Sequence, residues 1–429
     1  MAQLKVLICG GGIAGNALAF WLSKLGHDIT VIERFPSLRA TGLQVDLRGH
    51  GIEVMRRMGL EPGFRAKSVE EQGLEVVDNS GRQRAYFPAN KTGKGLQSFS
   101  TDFEIMRGDL CRLIYDATKD RVKYVFGTYI ESFEENNSSV KVQFSDGKSG
   151  QFDLLVGADG QGSRTRKMTF GPDTMETFHS LGVYIGYFTI PREILQGEEY
   201  KLTSYIAPGG RLMFTRRHNP HEIQIYLAST TGSERLKNSQ KGNIKEEKEA
   251  MAEIFQGAGW QTEHILQSLE DSNDFYCERL GLVKLESWSQ GRVVLLGDAA
   301  YCPSATTGMG TTSSLVGAYI LAGEISKHCG RPRAAGGDEG HATKDGLSTA
   351  LKVYNQKFRP FMDQVQKGLA KGSTVWDWIP STPLGIAFFN FLLGVAAFLR
   401  LNVFGKWIIR EDVRGWTLPD YKEMVQGQK

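Results

Sequence analysis

The sequence predicts an α/β fold built from two domains and a helical C-terminal extension, and three observations predict it. Residues 4–33 run strand, glycine turn, helix, strand. Over residues 176–285 the alternation of strands and helices gives way to consecutive short strands. Near the end, residues 384–399 form a 16-residue apolar run closed by Arg400. The size agrees, since 429 residues suffice for two or three domains of roughly 100–200 residues each and for a large core. With 41% hydrophobic and 23% charged residues, the composition excludes a wholly disordered, collagenous or multi-span membrane chain. A net charge of +3, from 51 Lys+Arg against 48 Asp+Glu, lacks the basic excess of a dedicated nucleic-acid binder, so no nucleic-acid partner is expected. Cys9, Cys111, Cys277, Cys302 and Cys329 are scattered, which argues against a disulfide framework or a metal site. With no leader visible before the first strand, a cytoplasmic, reducing setting is expected.

The first unit carries the most chemistry. Leu4–Cys9 is a short apolar strand, and Gly10-Gly11-Gly12-Ile13-Ala14-Gly15 follows it. Asn16–Leu25 has helical spacing, and Asp28–Glu33 is a second strand. In such a Rossmann-like unit Gly10 permits the tight turn, Gly12 lets the backbone approach a pyrophosphate, and Gly15 lets helix and strand pack. The helix N-terminus, with Ile13 and Ala14, offers free N–H groups to the anion. Glu33 lies 18 positions after Gly15, near the ~20 expected of an acid that binds ribose hydroxyls, and Arg34 stands beside it. An acid there favours FAD or NAD over NADP as the resident dinucleotide.

Further elements follow in order. Leu43–Leu47 alternates as a strand, Ile52–Met58 is helical, and Asn79-Ser80-Gly81 marks a hairpin. Asp109–Ala117 is a helix opened after Arg107. Residues 122–126, 140–144 and 152–157 are strands. Residues 184–190, 201–206, 211–215 and 223–227 are strand-like and form an antiparallel sheet inserted into the nucleotide domain. The expected boundaries are therefore 1–175 and 286–370 for the two parts of the nucleotide domain, 176–285 for the substrate domain and 371–429 for the extension. Residues 233–249 are Lys/Glu-rich and expected to be a solvated loop and helix face; 330–340 are expected to be an exposed loop.

Two more motifs follow buried strands. One is Asp159-Gly160-Gln161-Gly162-Ser163-Arg164-Thr165-Arg166. The other is Gly297-Asp298-Ala299-Ala300, which leads to Gly308-Met309-Gly310-Thr311 and a helix to about Ser326. An acid at a strand end can accept hydrogen bonds from a flavin's ribityl hydroxyls, and a helix start can aim N–H donors at the flavin ring.

In this order and spacing the three motifs closely resemble the single-component FAD-dependent aromatic hydroxylases of the para-hydroxybenzoate hydroxylase fold, over residues 4 to about 370. Within that family, Arg39-Ala40-Thr41-Gly42 leading to Asp46, then Arg107, then Gly210-Arg211-Leu212-Met213 look like segments of the tetracycline-inactivating flavin monooxygenases. The resemblance implies that Arg39, Asp46, Arg107 and Asp298 contact FAD or its reductant and that Arg211 and Met213 face the substrate. It implies that NADPH or NADH reduces FAD, that O2 adds at flavin C4a, and that the hydroperoxide passes one oxygen to an aromatic or polyketide-like small molecule. Hydroxylation is the first expectation. Epoxidation of an apolar isoprenoid-type substrate is the alternative, with a reductase or a halogenase behind it. Trp376-Asp377-Trp378-Ile379-Pro380 falls one residue short of the halogenase motif. No second dinucleotide fingerprint is present, which fits a reductant that binds transiently.

This sequence departs from the family pattern where its usual His is Tyr301, a usual Pro is Ser304, a frequent Asn is Thr312 and a Gln of the substrate strand is Gly186. The departures bear on the substrate, and no side chain is assigned as a catalytic base. Tyr184 and Tyr187 are candidates for the pocket wall, with sheet packing as the other reading. The 16-residue apolar run is shorter than the ~20 residues a membrane span needs. It is expected to pack on the domains as a lid, or to touch a membrane surface with Lys406, Trp407 and Arg410 as anchors. The oligomeric state is left at monomer or homodimer.

Overall fold

The computed structural model describes residues 3–39, 42–89, 103–136, 138–171, 177–231, 234–238, 243–329, 339–369, 375–400 and 413–425. Ala40, Thr41, most of the 330–340 loop, and Lys406, Trp407 and Arg410 lie outside them.

The nucleotide half is a six-stranded sheet. Lys5–Cys9 lies at its middle, parallel to Leu154–Gly157 on one side and Asp28–Glu33 on the other. Val293–Leu295 and Lys123–Phe126 extend it in parallel, and the two-residue strand Ser289–Gln290 closes one edge antiparallel. Parallel strands need cover on both faces, so their sequences read as continuous apolar runs. Here Val6 and Ile8 point into a core shared with the helices Ile13–Lys24 and Gly310–Cys329. Leu7 and Cys9 pack with Val140, Val142 and Phe152 of a three-stranded antiparallel sheet, Ile130–Glu135, Val140–Phe144 and Ser149–Phe152. The single strand read over 152–157 is thus two, and it changes sheets at Asp153, which bonds back to Lys5.

The second sheet has seven strands in the order Tyr276–Val283, Phe178–Pro191, Glu222–Ser229, Arg211–Asn219, Leu202–Ala207, Gly73–Val77 and Gln83–Pro88. All neighbours are antiparallel except Leu202–Ala207 with Gly73–Val77. The hairpin at residues 79–81 therefore adds two strands from the N-terminal part of the chain to the sheet read as an insertion at 176–285.

Because side chains alternate across a strand, this sheet has two distinct faces. Tyr184, Phe188, Met213 and Leu227 turn outward against the helices Ile244–Phe255 and Thr262–Asp271. Within the Lys/Glu-rich segment Leu236 and Glu247 are buried, and the helix that begins there continues past it to bury Ala250, Met251 and Phe255 on the back of the sheet. Val183, Ile185, Tyr187, Leu212 and Ala228 turn inward, joined by Phe214, Tyr226 and Tyr276.

The apolar run forms the helix Pro383–Phe398, capped by Thr382, whose hydroxyl accepts from Gly385 N–H. It packs along Gln83–Pro88 and inserts Ile386 into the inward cluster. Among the described residues only this side is covered. Leu384, Phe388, Phe391 and Phe398 are 63–87% exposed, so an all-round apolar sequence did not become an all-round buried helix. Among the described residues no helix is long and apolar enough to cross a membrane.

Candidate active site

The carboxyl ends of the parallel strands converge on the glycine turn, the place where open α/β sheets bind ligands. Gly10 has φ +114°, and a Cβ there would overlap the Ala158 carbonyl. A Cβ at Gly15 would overlap the Gly10 carbonyl oxygen. Both glycines are therefore required by the fold itself. Gly12 differs, because a Cβ there would meet nothing closer than an Arg107 nitrogen at 3.7 Å. Its backbone faces free space, and the helix Ile13–Lys24 starts there without a side-chain cap. The N–H groups at Ile13, Ala14 and Gly15 are left for an anion. Two residues absent from the motif brace the turn. Asn16, fully buried, donates to Gly11 O at 2.7 Å, and Tyr124 donates to Asn16 at 2.9 Å.

Glu33 ends its strand beside the turn, where Oε2 accepts from Gly11 N–H at 2.9 Å and Oε1 from Phe35 N–H at 3.1 Å. Arg34 and Arg39 both lie over the Phe35 ring, and Arg39 also lies over Tyr276 at 5.5 Å. Burial, then the like charges of Arg107 and Arg34, push the Arg39 pKa down. Guanidinium groups crowded at an uncapped helix start form a site for a phosphate-bearing ligand. The glycine turn with room at Gly12, the free N–H groups and this cluster fit the pyrophosphate of FAD. Arg107 stands at the centre, starting the helix Arg107–Asp116 and reaching Gly12.

Asp298 opens the short helix Asp298–Tyr301. Burial raises its pKa, against the opposing pull of Arg107 and the Cys302 thiol. Asp46 pairs with Arg48 at 2.5 Å, directly under Gly308. Arg48 is 2% exposed and was not singled out in the sequence, although it follows Asp46 by two positions on the same side of an extended segment. Its backbone exchanges hydrogen bonds with Thr312 Oγ1, at 3.0 and 3.2 Å, which locks Gly310–Cys329 to the Asp46 strand. Thr311 lies buried one residue before it.

Asp159 is anchored by its own loop. Its oxygens accept from the Ser163 hydroxyl at 2.5 Å and from the Thr165 N–H and hydroxyl at 3.0 and 3.1 Å, so its bonds stay within its own motif. Arg166 then donates to Ala299 O at 2.9 Å and Gln161 O at 2.7 Å, which ties this loop to the Gly-Asp-Ala-Ala loop.

Of the substrate candidates, only Tyr187 is on the inward face. It stacks on Tyr276 with ring centroids 4.8 Å apart, meets Tyr226 edge-on, and donates to Glu278 at 3.4 Å. Tyr184 and Met213 lie on the outward face. So does Arg211, whose guanidinium donates to Ile254 O and Gln256 O at the end of the helix Ile244–Phe255 and to Pro208 O. Gly186 also faces outward, against Phe275 and Met251. Tyr226, Tyr276, Phe214 and Arg216 take the inward places instead. Arg216 is buried between Glu71 and Glu104; burial opposes its charge, but the two carboxylates hold it protonated. Gln44 joins this network through Glu104.

The departures have physical reasons. Ser304 sits at φ +65°, a conformation closed to proline, whose ring fixes φ near −65°. Tyr301 is buried in the core against Trp288 and Tyr354, so the usual histidine position is a packing site here. Trp376 packs in the inward cluster and donates to Thr306, while Trp378 is 67% exposed.

The uncapped glycine turn, the acids at the strand ends and the facing aromatic sheet define a flavin-nucleotide oxidoreductase. A family model described as an FAD binding domain matches residues 3–338. The chain is 52% identical over 434 residues to the FAD-dependent monooxygenase asL4 of Sarocladium schorii, covering 99% of this chain and 100% of that protein. It is 40% identical to the flavin-dependent monooxygenase eupH of a Phoma species, with 98% of each covered. Among solved structures, the tetracycline destructase Tet(51) superposes with a TM-score of 0.75 at 28% identity, over 98% of this chain and 100% of that one. HpxO of Klebsiella pneumoniae, solved with FAD, shares the fold with a TM-score of 0.68 at 19% identity, over 93% and 97%. The chain belongs to the FAD-dependent monooxygenases of the para-hydroxybenzoate hydroxylase type.

Proposed function

We propose that this enzyme uses NADPH or NADH to hydroxylate an aromatic or polyketide-like small molecule. One observation carries the reading: the inward sheet face presents Tyr187, Phe214, Tyr226 and Tyr276, and Tyr276 lies against Arg39 beside the glycine turn. An aromatic wall next to a flavin nucleotide site suits a flat, unsaturated substrate, because rings pair well edge-on or offset. Bound FAD supplies the oxygen-transfer chemistry. The chain's own part is to bind and exclude. Ile13, Ala14, Arg39 and Arg107 hold phosphate, and the Asp46–Arg48 pair shapes the turn at Gly308. The tyrosine stack orients the substrate and keeps bulk water from the reacting centre.

The test is an absorption spectrum of the purified protein followed by NADPH in air. Flavin bands near ~370 and ~450 nm that bleach with NADPH are expected. Oxygen uptake stimulated by phenols or aromatic polyketides, with a hydroxylated product, completes the reading. Stimulation only by isoprenoid alkenes, with an epoxide product, would replace hydroxylation by the alternative. Bleaching with no substrate-dependent product would overturn the proposal.

A further inference from the structure

Arg216 stands on the seven-stranded sheet, in the strand Arg211–Asn219, yet its ion pairs leave that sheet. It bonds Glu71, just before the strand Gly73–Val77, and Glu104. All three side chains are buried, and Glu104 also accepts from the Gln44 amide.

Glu104 opens the strand Glu104–Met106, which pairs antiparallel with Gln44–Asp46. Asp46 lies opposite Glu104, and Gln44 opposite Met106. Both strands of this ribbon run into the FAD site. Arg107 follows Met106 directly, and Asp46 ends its strand paired to Arg48 beneath Gly308. A second tie reinforces the first. Gln224, on the neighbouring strand Glu222–Ser229, donates to Met106 Sδ and accepts from the Tyr226 hydroxyl at 3.0 Å. Tyr226 belongs to the aromatic wall.

Such a network is a poor source of stability. Each buried charge costs desolvation, and well-packed apolar residues of similar volume commonly hold a core as well or better. A guanidinium fork between two carboxylates supplies register instead, because its donors are fixed in one plane. Arg216 can meet Glu71 and Glu104 together only with the ribbon at one height against the sheet. The ribbon needs that help, since two paired strands of three residues each do not hold a position by themselves.

We propose that Arg216 is a positioning residue for the flavin nucleotide. Through Glu104 it holds the two-stranded ribbon, and with it Arg107 and Asp46, at the depth where they meet FAD. The inference rests on the assignment of Arg107 and Asp46 to the FAD site and not on the identity of the substrate.

The test is FAD affinity, read by flavin fluorescence as the full-length apoprotein is titrated with FAD, alongside the unfolding midpoint of the same apoprotein. Arg216→Lys keeps the charge but loses the fork, so FAD should bind about 2- to 10-fold more weakly, the worth of one hydrogen bond. Gln44→Leu, Glu71→Leu, Glu104→Leu and Arg216→Met together replace the network by apolar packing. The unfolding midpoint of this fourfold variant should lie close to that of the wild type, whereas its FAD binding should stay weakened. A structural role alone would leave both at wild type. Wild-type affinity in the fourfold variant, or in Arg216→Lys, would therefore overturn the proposal. If the fourfold variant does not fold, a double-mutant cycle decides. In an Arg107→Ala background Arg216→Lys should lose part of its effect, because the two changes act at one place. Full additivity, or wild-type FAD affinity in Arg107→Ala alone, would overturn the proposal. FAD titration needs no turnover, so a chain that passes this test and yields no hydroxylated product would sink the hydroxylase reading only.

Discussion

The glycine turn and the inward sheet face meet at the same site but are built from different materials. The turn is backbone: Gly10, Gly12 and Gly15 matter for where the main chain can go, and helix N–H groups are what it offers an anion. The sheet face is side chain: Tyr187, Tyr226, Tyr276 and Arg216 act by shape and charge. Backbone chemistry depends on local spacing and is therefore written in one stretch of sequence. Side-chain walls depend on which of two faces each strand turns inward, and a one-residue error in parity inverts the assignment.

The largest expected effect divides the glycines themselves. Gly15→Val should prevent folding, because its Cβ meets backbone at Gly10, and soluble yield should collapse. Gly12→Val should give folded protein, by circular dichroism, that binds FAD at least ~10-fold more weakly, about 1.4 kcal/mol. Wild-type FAD affinity in that variant would remove Gly12 from the site.

Next in size is Arg216→Met, which leaves Glu71 and Glu104 with a lost cation in a buried network and should cost about 3–5 kcal/mol in chemical unfolding. An unchanged denaturation midpoint would show that the network is not buried in solution. Arg211→Ala should cost about 1–2 kcal/mol through its lost bonds to the helix-end carbonyls, with substrate KM unmoved. A raised KM at unchanged stability would return Arg211 to the substrate wall.

The smallest effect is the sharpest test of face parity. Tyr187→Phe should raise substrate KM severalfold, roughly 1 kcal/mol, by loosening the stack that its bond to Glu278 fixes. Tyr184→Phe should leave KM within about 0.5 kcal/mol of wild type. The reverse pattern would exchange the two faces.

What was legible in the sequence follows from this division. The first nucleotide unit could be read because strand, turn, helix and acid are consecutive, and Glu33, Asp46 and Asp298 fall at strand ends or beside a turn. Arg48 was within reach, two residues past Asp46, by the period of an extended chain. Asn16 was read only as a helix start, since nothing local shows that its amide reaches back to Gly11. The Arg216–Glu71–Glu104 network joins three distant segments and leaves no local trace. Arg211 and Met213 were placed by likeness to a segment whose inward members here are Leu212 and Phe214. That the apolar helix would pack on the domains was legible in its composition, but not that one sheet edge would cover a single side of it.

The parallel pairing of Leu202–Ala207 with Gly73–Val77 has a consequence for biosynthesis. The central strand of the nucleotide sheet likewise waits for Leu154–Gly157, and that strand waits for Val293–Leu295. As the chain leaves the ribosome, its glycine turn emerges well before residues near 300, yet it cannot be clamped until they have arrived. Non-local strand pairing of this kind is slow, and its intermediates expose unpaired edges. A stop after the first half should yield a chaperone client with no flavin colour, and the enzyme should become yellow only at a late stage of its own synthesis.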